Sequence, residues 1–106
     1  MKFVSNEATF IAPKKARQAL RRVADIYDKN PTAVKAIRID GYIAHVQAND
    51  PTLLSGDRAR TVRAELESFG IPAQKLRARG KGYGPYKIPT EDRMVRISIS
   101  RDTPNC

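Results

Sequence analysis

The chain is 106 residues long, 41% hydrophobic and 29% charged, proportions that fit one globular domain with a modest core rather than a disordered chain. No apolar run is long enough to span a bilayer, and the one cysteine, Cys106 at the last position, excludes an internal disulfide or a metal centre built on cysteines. A net charge of +9 and a pI near 10.1 point to acidic partners, whether nucleic acid, anionic lipid or anionic wall polymer, without choosing among them.

No charged-then-apolar leader opens the chain, which leaves room for a single domain, residues 1–106, taken from a longer exported or anchored protein. Phe3, Val4, Phe10 and Ile11 suggest a short strand and an extended turn. Pro13 suits the first turn of a helix, and Ala16, Leu20, Val23, Ala24 and Tyr27 continue it as an apolar stripe to about Lys29. Lys14, Lys15, Arg17, Arg21 and Arg22 occupy its other faces, and Asn30-Pro31 ends it.

Ala36 to Ile43 reads as a strand, with Ile37, Ile39 and Ile43 alternating against Arg38 and Asp40. Gly41 stands at an inward position, which predicts a bend or a close backbone approach. Residues 45–52 have loop composition. A second helix follows, with Ser55 as its expected N-cap, Asp57 in the first turn, and Ala59, Val62, Leu66 and Phe69 as its apolar stripe. Gly70 and Pro72 stop it. Arg58, placed in that first turn, is expected to reach an anion that also meets the free N–H groups of the helix start.

Residues 74–78 form a short strand candidate, and Gly80, Gly82, Gly84, Pro85 and Pro89 predict irregular structure over most of residues 79–91. Val95, Ile97 and Ile99 alternate with Arg96 and Ser98 in the clearest strand. The order is β-α-β-α-β-β, which implies right-handed crossovers and a two-layer α/β sandwich with both helices on one face of a small mixed sheet.

The run Leu54-Ser55-x-x-Arg58-Ala59-x-x-Val62-x-x-x-Leu66, followed by Gly70-Ile71-Pro72, resembles the signature of the OmpA-like domain. Ile39-Asp40-Gly41-Tyr42, Leu76 to Gly82, and Arg93-Met94-Val95-Arg96-Ile97 match further pieces in register, so the resemblance covers roughly Phe3 to Ile99. It implies the family's α/β fold and a bacterial envelope module that binds peptidoglycan without a covalent bond. It also implies a periplasmic location, a tether outside this sequence and partners among envelope-complex proteins of the secretion-system or motor-stator type. In the family, an aspartate after Gly-His-Thr and the arginine of the Leu-Ser motif together hold the zwitterionic end of the diaminopimelate side chain.

The arginine is present as Arg58, but the aspartate's position falls on Ala44. The candidate ligand-binding residues are therefore Arg58, Tyr42, Ala44, His45, Asn49 and Asp50. Two outcomes are open: Asn49 or Asp50 takes the lost carboxylate's place, or the site is degenerate and its grip on the peptide stem is weakened or lost. In the second case Arg58 becomes a structural residue bonded to loop carbonyls, or binds a simpler anion.

His45 has no cysteine or triad company, and no pair of carboxylates shares a face, so the sequence offers no enzyme chemistry, metal site or cofactor motif. The basic, tyrosine-bearing stretch 77–87 carries the alternative, a nucleic-acid-binding module. The same charges also suit wall phosphates, anionic lipid or an acidic protein.

Overall fold

The computed structural model of the chain describes residues 1–4, 7–44, 51–86 and 92–101. Its elements in order are helix α1 (Pro13–Lys29), strand β1 (Val34–Ile43), helix α2 (Pro51–Ser68), a 3-10 turn (Ala73–Lys75), strand β2 (Leu76–Tyr83) and strand β3 (Val95–Arg101). The first expected strand is present as two isolated bridges, Lys2 to Met94 and Phe3 to Phe10.

α1 begins at its proline, whose missing N–H costs nothing at that position. Its buried stripe is Ala16, Leu20 and Ala24, and the N–H of Asn30 closes it on the carbonyl of Tyr27. The sheet runs β2-β1-β3, with β2 parallel and β3 antiparallel to the central β1. β1 to β2 is thus a crossover through α2, which lies across both strands.

Residues in register share a face of a sheet. Ile37, Leu76 and Ile99 form one such row, and Ile39, Ala78 and Ile97 the next. These rows meet Leu20, Val62, Leu66 and Phe3 in the core. Phe3 is fully buried and stacks on Phe10 with ring centroids 4.9 Å apart, so the N-terminal segment closes the core. Gly41 is the expected close approach: a Cβ there would strike the carbonyl of Ser55 and the backbone nitrogen of Ala59 on α2.

Two local expectations are corrected. α2 begins at Pro51, four residues before Ser55, so Ser55 is not an N-cap and Asp57 is not in the first turn. The Ser55 hydroxyl, fully buried, instead accepts the N–H of Gly82 at 3.0 Å. β2 runs on through Gly80 and Gly82 to Tyr83, where irregular structure was expected. The glycines are tolerated because Gly80 pairs with Gly41 and the Gly82 N–H has the Ser55 oxygen as its partner.

Candidate functional site

Arg58 is the largest fully buried side chain of the chain's described residues. Because α2 starts early, Arg58 lies two turns into the helix, away from the free N–H groups of its first turn. Arg58 therefore does not stand at the helix start, where the sequence placed it. Its guanidinium instead meets three backbone carbonyls: Nε donates to Glu7 (3.0 Å), Nη1 to Tyr42 (2.9 Å) and Nη2 to Val4 (3.0 Å). Its Cζ also lies 5.4 Å from the centroid of the Phe3 ring.

One helix turn further, the Thr61 hydroxyl lies 3.2 Å from the carbonyl of Ala8 and 3.0 Å from that of Asp57. Arg58 and Thr61 together hold the N-terminal segment against α2, and Arg58 adds the end of β1. A guanidinium has five N–H donors. Three are taken by carbonyls, and the remaining two, one on each terminal nitrogen, have no partner among the described residues.

Burial, and secondarily the like charge of Arg93, pull the Arg58 pKa down from its ordinary value to about 10, so it stays a cation at neutral pH. No carboxylate among the described residues lies within ion-pair distance of it. Ala44, at the position where an acid was sought, is fully buried and apolar. Tyr42 contributes its carbonyl to Arg58, while its ring lies under the Arg96 guanidinium at 5.8 Å. His45, Asn49 and Asp50 lie outside the described residues.

The structure adds a residue that sequence reasoning passed over. Asp92 is fully buried; its Oδ1 accepts the N–H of Tyr86 at 3.0 Å, and its Oδ2 has no partner among the described residues. A Cβ on Gly84 would collide with this carboxylate, so the glycine makes room for it. The available signal was an acid three residues before the β3 alternation, in the stretch that follows Gly84-Pro85, and that pattern fits an ordinary solvated loop equally well.

Among solved structures, the fold is similar to the periplasmic domain of Helicobacter pylori MotB, at TM-score 0.75 and 18% identity, covering 97% of this chain and 71% of that one. The peptidoglycan-associated lipoprotein of Burkholderia pseudomallei gives TM-score 0.75 at 16% identity over 95% of this chain and 87% of that one. The OmpA-like domain of FopA1 from Francisella tularensis gives 0.75 at 20% over 96% and 73%. The TM-scores, at identities this low, show a shared fold. No curated protein matches the sequence. Structural modules of this kind are not enzymes. The family model described as the OmpA family matches residues 2–95, most of the chain and every described element but β3, of which it reaches only Val95, and the chain belongs to that family.

Proposed function

We propose that this chain is the envelope-facing module of a bacterial periplasmic protein, anchored through a part of the protein outside this sequence. In this reading its non-covalent grip on the peptidoglycan stem is weakened or lost, and it serves as an anchor or docking module of an envelope assembly. The solved relatives named for a periplasmic location and for peptidoglycan association support the setting.

The observation that carries the weakened grip is the use of Arg58. A zwitterionic side chain is held by one cation and one anion at a fixed spacing. Here the cation is fully buried and has three carbonyl partners. The position of the anion is the buried methyl group of Ala44. Loss of one charged partner from such a site costs about 2–5 kcal/mol, enough to erase a modest affinity.

The test is retention on purified sacculi, run beside the periplasmic domain of H. pylori MotB. This chain is expected to be retained less, and free diaminopimelate is expected to leave that residual retention unchanged. Ala44→Asp, checked for folding by circular dichroism, is expected to raise retention. Retention equal to the comparator's and competed away by diaminopimelate would overturn the reading.

A further inference from the structure

The sheet has a second face, turned away from the helices. Gly41 faces α2, so its neighbours Asp40 and Tyr42 belong to the opposite side, as do the residues in register with Asp40. Across the three strands one row reads Arg77, Arg38, Ser98 and the next Arg79, Asp40, Arg96, with Lys81 two residues beyond Arg79 on β2. Arg38, Arg77, Arg79, Lys81 and Arg96 are all exposed.

The first part of the basic stretch, up to Tyr83, is thus an edge strand that sets its cations at every second residue, about 6.6 Å apart, on one side. Among the described residues, these five cations share this face with one carboxylate, Asp40. Asp40 is nearly buried among them, and its described partner is Arg38 at 3.4 Å. Arg38 and Arg77 stand directly opposite each other, a like-charge pairing that disfavours the sheet. An anionic surface laid against the face would relieve that repulsion.

We infer that the helix-free face of the sheet, through Arg38, Arg77, Arg79, Lys81 and Arg96, docks electrostatically on an anionic phospholipid bilayer. The face has the character of a peripheral electrostatic contact. Its centre carries arginine, aspartate and serine side chains, while its aromatic residues, the half-buried Tyr42 and the exposed Tyr83, stand at the ends of β1 and β2 and leave the cationic centre without an apolar anchor of the kind that carries a protein interface. A single-stranded nucleic acid needs aromatic platforms for successive bases. The ring of Tyr42 has the Arg96 guanidinium over it, and the Tyr86 hydroxyl accepts a hydrogen bond from the same arginine at 3.0 Å. A plane of phosphate headgroups asks only for spread positive charge, and each lysine or arginine near such a surface adds a similar increment. This inference does not depend on the state of the Arg58 site, which lies on the helix side of the sheet.

The test is co-sedimentation with vesicles of phosphatidylcholine alone or of phosphatidylcholine mixed with phosphatidylglycerol. Binding is expected only to the mixed vesicles and is expected to fall as salt rises. Arg79→Glu with Lys81→Glu should weaken it by about thirty-fold or more. Lys14→Glu with Lys15→Glu, the same charge change on the exposed face of α1, should weaken it far less. Should the double reversal fail to fold, Arg79→Gln with Lys81→Gln tests the same face. The inference is overturned by absence of binding to the mixed vesicles, or by equal weakening from the two sites. It is also overturned if single-stranded DNA binds more tightly than the vesicles and is the ligand lost on changing Arg79 and Lys81.

Discussion

The Nη1 of Arg58 donates to the carbonyl of Tyr42 at 2.9 Å, tying α2 to the end of β1. The same guanidinium reaches Val4 and Glu7, more than fifty residues away in sequence. One side chain therefore holds three segments that no regular element connects. A charged donor shared among carbonyls makes stronger bonds than a neutral one, which is how the core tolerates a buried cation with no carboxylate partner among the described residues.

Arg58→Ala is therefore expected to act first on stability. It leaves the carbonyls of Val4, Glu7 and Tyr42 without their donor, at a cost of about 3–4 kcal/mol. Arg58→Lys, with a compact ammonium in place of a fork, is expected to recover less than half of that. Urea unfolding checks both. A loss under about 1 kcal/mol in the alanine variant would remove the clamp.

The pH behaviour of the same residue follows from its lowered pKa. The folded-state value is about 10, below that of the free group, so folded and unfolded chains are both charged at neutral pH. The stability contribution is then flat across the neutral range. Above about pH 10 the folded state releases its proton before the unfolded state does, and stability from this group rises with pH. The difference in unfolding free energy between the parent and Arg58→Met should match at about pH 6 and about pH 8, and shift in the parent's favour only above about pH 10.

Two glycines should fail for different reasons. Gly41→Ala drives a methyl group into the backbone of α2 at Ser55 and Ala59, and separating packed layers costs about 1–3 kcal/mol or more. Gly70→Ala has open space around it but sits at φ +97°, so it costs about 1 kcal/mol through the backbone alone. Thermal melts rank the two. Gly70→Asn should be milder than Gly70→Ala, while no side chain rescues position 41.

Asp92 separates acceptor from charge. Asp92→Asn keeps an oxygen for the Tyr86 N–H and removes a buried charge whose second oxygen has no described partner. It is expected to be neutral or mildly stabilising, whereas Asp92→Ala strands the Tyr86 N–H and costs about 1–3 kcal/mol. Equal losses in both variants, read by urea titration, would show that the carboxylate charge itself is needed.

Much of the architecture was legible from local pattern. Pro13 and Asn30 bound α1 as expected, and the period-two alternation of Ile37 and Ile39 and of Val95, Ile97 and Ile99 marked β1 and β3. Gly41 announced a close approach, and α2 supplied it. The start of α2 was misplaced because a serine suits a cap as well as a helix interior where its hydroxyl has a partner; that partner, the Gly82 N–H, lies 27 residues ahead. β2 was cut short because glycines weaken an isolated strand, whereas here they sit against β1 and α2.

By itself, the sequence determined the layers, the apolar stripes, the family signature, the presence of Arg58 and the alanine at position 44, because each depends on residue identity or on spacing within one element. Tertiary structure alone decided what Arg58 touches, why Asp92 is buried, and which side of the sheet receives the cations of β2. Those outcomes depend on the early start of α2 and on pairing between distant strands, and the distance between remote backbone atoms is set by the folded chain as a whole.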